Sequence, residues 1–93
     1  MQRQLGPLNP TDTLWRIAER IKPQDSNVST YQIMYAIYLK NPDAFIDGNL
    51  NHLRPGATLQ LPDMRDIRAI DINLARAKSD ADDRAWAARN NSA

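Results

Sequence analysis

Cysteine is absent from this 93-residue chain, so disulfides and thiol chemistry play no part, and the redox state of the compartment leaves no mark on the sequence. Histidine occurs once, at His52, which excludes a histidine-rich metal cage; no metal and no cofactor are expected. A charge excess is missing as well. The 12 basic and 11 acidic residues leave a formal net charge of +1 and are spread evenly on either side of Pro62. There is thus no basic arm to suit a nucleic acid and no acidic tail. No run approaches the roughly 20 apolar residues of a membrane-spanning helix. The opening MQRQLGPLNP lacks the apolar stretch of a secretory signal, and taken by itself this start points to the cytosol.

Catalytic patterns are missing too. Hydrolysis of a glycan needs two carboxylates about 5–10 Å apart, one of them in a setting that raises its pKa. Here the carboxylates fall in expected helix caps and on exposed helix faces, and Glu19 is the only glutamate. No Ser-His-Asp, Cys-His or HExxH arrangement occurs. A chain this short buries only about 60–65% of its unfolded surface, which leaves no room for a deep cleft beside its core. A non-catalytic role is expected.

What is present is helical periodicity between proline stops. LGPLNP reads as a short extended piece, because two prolines fix φ and discourage helix while Leu5 and Leu8 supply apolar contacts. Thr11, Asp12 and Thr13 are capping-type residues ahead of Leu14, Ile17, Ala18 and Ile21, whose spacing is that of one helix face. Pro23 ends that helix. Ser29 followed by Gln32 is a capping box for a second helix that Pro42 stops near Asn41. Its core face carries Ile33, Ala36, Ile37 and Lys40, flanked by Met34; another face carries Tyr31, Tyr35 and Tyr38. DAFIDGNLNHL is irregular, with Phe45, Ile46, Leu50 and Leu53 expected to point inward. RPG signals a turn with proline at its second position and glycine at its third. ATLQLP alternates as a half-buried strand closed by proline.

From Asp63 the composition shifts to Ala, Arg and Asp without glycine or proline, a helix expected to break near Asp71, which would cap its second segment. Ile67, Ile70 and Leu74 form a stripe that fades after Ala77. Beyond residue 75 the helix is charged and thinly apolar and is expected to project into solvent or fray. The division is therefore 1–62 for the compact unit and 63–93 for a helical extension.

DTLWRIA at the first helix and LRPGATLQLP at the second strand, separated by a helix ending in NP, resemble the two ends of the lysin motif over residues 4–62. The long second helix, NPDAFIDGNLNHL and the following DADDRAW further resemble the periplasmic lysin-motif region of the FimV/HubP polar landmark family. The resemblance implies an α+β fold in the order βααβ, two helices on one side of a two-stranded antiparallel sheet, with an additional C-terminal helix. It also implies binding of N-acetylglucosamine-containing glycans, peptidoglycan in bacteria. Carried over by motif position, one groove wall is Thr11, Asp12, Thr13 and Leu14, and the other is Asn41, Pro42, Asp43, Ala44, Phe45 and Ile46. Thr11 stands where the family has glycine, which narrows the groove or adds a hydroxyl contact. The resemblance further implies a periplasmic domain of an inner-membrane protein at the cell pole, serving pili or flagella, with signal and anchor expected outside this sequence.

The residues themselves fit a neutral sugar chain. Backbone N–H groups at a helix start lack intrahelical partners and are free to donate, and Ala44, Phe45 and Ile46 are candidates for an apolar recess. Each neutral hydrogen bond nets only about 0.5–1.5 kcal/mol, so a single short glycan should bind weakly. Plainer roles stand beside these. TDT also serves as a cap. Trp15 lies about 100° from the core stripe, where it braces the first strand or the C-terminal segment or stacks on a sugar. Tyr31, Tyr35 and Tyr38 are either a partner face or the seat of the C-terminal helix. His52 reads as a surface residue, and Asp80, Asp82 and Asp83 as a solvated face and not a calcium loop.

Overall fold

A computed structural model describes residues 3–91. Its order is β1 (Gln4–Leu5), α1 (Leu14–Ile21), α2 (Thr30–Lys40), β2 (Leu59–Gln60), α3 (Met64–Arg68) and α4 (Ile72–Asn91). The fold is α+β, the expected βααβ order followed by C-terminal helices. β1 and β2 pair antiparallel with Gln4 opposite Gln60 and Leu5 opposite Leu59. The pairing is short, but backbone bonds extend it on both sides: Leu61 N–H to Arg3 O at 2.8 Å on one, Leu8 N–H to Ala57 O at 2.8 Å and Gly56 N–H to Leu8 O at 3.0 Å on the other.

The helix boundaries follow the local signals. Thr13 caps α1, its Oγ1 accepting from Arg16 N–H at 3.2 Å. Lys22 leaves helical conformation ahead of Pro23, as the proline ring requires. At α2 both bonds of the capping box form, Ser29 N–H to Gln32 Oε1 at 2.8 Å and Gln32 N–H to Ser29 Oγ at 3.1 Å. The RPG turn closes through Ala57 N–H to Arg54 O at 3.2 Å, with Gly56 at φ +80°, the left-handed conformation a type II turn needs at its third residue. Asp71 caps α4, its Oδ1 accepting from Asn73 N–H at 2.8 Å.

Leu14, Ile17 and Ala18 of α1 pack with Ile33, Met34, Ala36 and Ile37 of α2 and with Leu59 of β2 in one core. Phe45 and Leu50, from the irregular stretch after α2, complete it, while Ile46 and Leu53 are only half-buried. Ile67 of α3 joins from the far side.

The C-terminal segment departs from expectation. Helix α4 does not project into solvent; it lies along α2 and the 47–52 loop. Leu74 is 56% exposed and takes no part in the packing. The inward face is instead Ala75, Ser79 and Asp82, with Lys78 at its edge. The docking is largely polar. Asp82 Oδ2 accepts from Leu50 N–H at 2.9 Å, Asn49 Nδ2 donates to Asp82 O at 3.1 Å, and Lys78 Nζ donates to Gly48 O at 2.7 Å. Fraying was expected beyond residue 75; the helix continues to Asn91, and residues 92 and 93 lie outside the described residues.

Candidate functional site

A groove of about 480 Å³ runs between the loop preceding α1 and helix α4. Its loop side is Pro10, Asp12, Thr13 and Trp15; its α4 side is Ser79, Asp83 and Trp86; Met34 and Leu50, both buried, form the bottom. The volume lies within the usual range for small-ligand clefts.

Each wall is fixed by local chemistry. On the loop side Asp12 Oδ2 accepts from Asn9 N–H at 2.7 Å, and Asp12 N–H returns to Asn9 O at 3.0 Å, a closed turn that sets the entry to α1. Trp15 is 45% exposed, its indole edge-on to Tyr31 of α2 at 5.6 Å. It therefore braces α2, with much of the ring left accessible. On the α4 side Trp86 packs edge-on against His52 at 5.1 Å, and the Arg89 guanidinium lies 5.8 Å from its ring centre. Asn51, at the groove's end, donates from Nδ2 to Asp83 Oδ1 at 2.9 Å and so ties the loop to the helix.

The structure does not bring the two walls read from the sequence into one groove. Asp12, Thr13 and Leu14 line the groove just described, although Leu14 is buried and contributes mainly to the core. Thr11 is exposed beside it. Asn41, Pro42, Asp43 and Ala44 line a separate depression of about 330 Å³ with Lys40, Arg54, Ala57 and Thr58. Ala44 and Phe45 are buried in the core and Ile46 is half-buried, and of the three only Ala44 lines this depression.

Asn41 has a structural task. Its Nδ2 donates to Ile37 O at 2.7 Å and to Gln60 O at 2.9 Å, and its Oδ1 accepts from Gln60 N–H at 2.8 Å. This side chain completes the backbone pairing of β2 at the end of α2, and no donor of its amide is left for a ligand.

The tyrosine face is mostly covered by α4. Lys78 Nζ lies 4.8 Å from the Tyr38 ring centre and the Arg76 guanidinium 5.4 Å from that of Tyr31, distances of cation–π contact. Tyr38 also meets Phe45 edge-on at 5.4 Å, and Tyr35 meets Tyr38 at 6.1 Å. All three tyrosines are half-buried. Two cations of α4, Arg76 and Lys78, make contacts on this seat, while Leu74 stays exposed. Among the described residues no group of His, Asp and Glu side chains is arranged to hold a metal ion, and no helix is long and apolar enough to cross a membrane.

Sequence reasoning missed Leu50, Asn51, Ser79, Asp83 and Trp86 as groove residues. A signal was present in Trp86, a lone aromatic in a charged helix, seven residues beyond Ser79 on the same face.

No family model and no solved structure matches the sequence. Curated proteins do. The chain is 35% identical over 82 residues to motility hub protein FimV of Pseudomonas aeruginosa strain PAO1, and equally to that of strain UCBPP-PA14. The match takes in 88% of the chain, which itself spans about 9% of the length of FimV. Over most of its length, then, the chain is similar in sequence to one short segment of the motility hub protein FimV.

Proposed function

We propose that the chain is a lysin-motif domain of a FimV/HubP-type polar landmark protein, and that it holds this larger protein to peptidoglycan without catalysing any reaction. The observation that carries the reading is the groove beside the DTLW turn: two tryptophans flank it, and Thr13, Asn51, Ser79 and Asp83 supply hydroxyl, amide and carboxylate groups around a buried apolar bottom. A sugar ring offers an apolar face to an aromatic ring and a rim of hydroxyls to polar groups, and this groove provides both. The βααβ order and the similarity to FimV support the same reading. The setting that follows is the periplasmic side of the inner membrane at a cell pole, where the parent protein organises pili or flagella. Weak binding per domain suits attachment to a polymer, because repeated sites on one strand raise the effective concentration.

A second reading is a periplasmic protein–protein adaptor that has lost glycan binding. It is favoured by the burial of Ala44 and Phe45, which leaves little of their apolar surface to a ligand. Co-sedimentation with purified peptidoglycan sacculi separates the two. Under the glycan reading the chain pellets with sacculi, and Thr13→Arg, which drives a long charged side chain into the groove, releases it. Pelleting that Thr13→Arg leaves unchanged would reject the groove as the site. Absence of pelleting altogether would favour the adaptor.

A further inference from the structure

We infer that α4 is a working wall of the glycan groove, with Trp86 as a stacking platform for a sugar face and Asp83 as an acceptor for its hydroxyls. The inference rests on the glycan reading above and goes beyond it, since the resemblance places both walls within residues 11–46.

Three observations carry it. Ser79, Asp83 and Trp86 fall at i, i+4 and i+7 of α4, one continuous helix face, and all three line the groove. The helix is held in place on that side. Asp82 accepts from Leu50 N–H and from Lys78, Lys78 donates to Gly48 O, and Asn51 reaches Asp83. A wall fixed before the ligand arrives adds affinity because little ordering remains to be done on binding. Finally, the charged side chains lining the groove are Asp12 and Asp83, with no lysine, arginine or histidine among them. Two carboxylates and two indoles suit an uncharged or amine-bearing sugar chain; a run of phosphates or carboxylates would meet like charge.

Trp15 and Trp86 are the chain's two tryptophans, so intrinsic fluorescence reads both walls. The experiment uses the full chain and the N-acetylglucosamine tetramer as probe, with calorimetry for affinity and circular dichroism to confirm the fold of each variant. In Trp15→Phe the remaining emission comes from Trp86 and should shift and become protected from acrylamide as tetramer is added. Trp86→Ala should weaken binding roughly tenfold, and Trp86→Phe should recover most of that loss. Asp83→Ala should weaken it by a factor of about 2–12, the range of one hydrogen bond. If Thr13→Arg abolishes binding while Trp86 emission stays still and both α4 variants bind like the parent, the α4 wall is refuted and the loop-side groove stands. If Thr13→Arg also binds like the parent, or the parent binds no tetramer, the glycan reading itself falls and this inference with it.

Discussion

Replacing Asn41 with alanine tests the division of labour in this domain most sharply, because sequence and structure assign that residue different tasks. Its amide makes two bonds to backbone carbonyls, Ile37 O and Gln60 O, and receives one from Gln60 N–H. Each neutral bond of this kind nets about 0.5–1.5 kcal/mol, and the partly buried Gln60 N–H and C=O would be left without this partner. The expected loss is about 2–4 kcal/mol, a large fraction of the 5–15 kcal/mol that holds an ordinary domain folded. For a chain of this size about 1 kcal/mol corresponds to roughly 4–8 °C in Tm, so the melting point should fall by about 10–25 °C. Asn41→Asp should do no better. It keeps the acceptor for Gln60 N–H but turns a carboxylate toward two carbonyl oxygens. Urea unfolding followed by circular dichroism gives the number, and tetramer titration at low temperature, where the variant is still folded, gives its binding. A stability change under about 1 kcal/mol together with lost glycan binding would refute the reasoning and return Asn41 to the ligand.

Three further outcomes follow from other parts of the fold. Gly6→Ala should destabilise by roughly 1–3 kcal/mol, since its Cβ would stand 2.7 Å from Ala57 O and from Thr58 Cα at φ +148°, and backbone atoms just ahead of β2 cannot yield as a side chain can; chemical denaturation checks this. Asp82→Ala removes the acceptor for Leu50 N–H and the partner of Lys78, and should cost about 1.5–3 kcal/mol. It should also raise amide exchange across α4 well before α1 or α2 is affected, as mass spectrometry of exchange would show. Asp66 titrates below the ordinary carboxylate range because Asp63 N–H donates to it, with Lys40 adding at 3.4 Å. A depressed folded pKa stabilises above the unfolded value of about 3.9 and loses that contribution as pH falls through the folded one. Asp66→Asn should therefore melt below the parent at pH 7, and the gap should close as the pH drops below about 3.9.

Most of residues 3–62 was legible because the signals there are local. The Ser29–Gln32 box, the proline stops at Pro23 and Pro42 and the RPG turn each act within four residues, and each forms as read. The apolar stripe of α1 and the alternation around Leu59 then place the core without ambiguity. The seat of α4 was legible only in part. The tyrosine stripe offered it a place on α2, and Arg76 and Lys78 take that place. Its docking face, Ala75, Lys78, Ser79 and Asp82, is one that apolar periodicity scores as solvent-facing, and its bonds to backbone groups of the 48–50 loop leave no trace in side-chain pattern. The same limit hid the task of Asn41, whose partner lies 19 residues away. For the candidate site the consequence is direct. The DTLW side was readable as a capped helix start, while the opposite side comes from a helix whose charged sequence concealed its place against the body.

The proposed place of the glycan is between the DTLW turn and α4. Titrating the isotopically labelled chain with N-acetylglucosamine oligomers, and following backbone amide shifts by NMR, tests it residue by residue. Shifts should gather at residues 12–15, 50–51 and 79–86 and grow with oligomer length, while 41–46 stay still. Shifts confined to 41–46, or none at millimolar ligand, would contradict it.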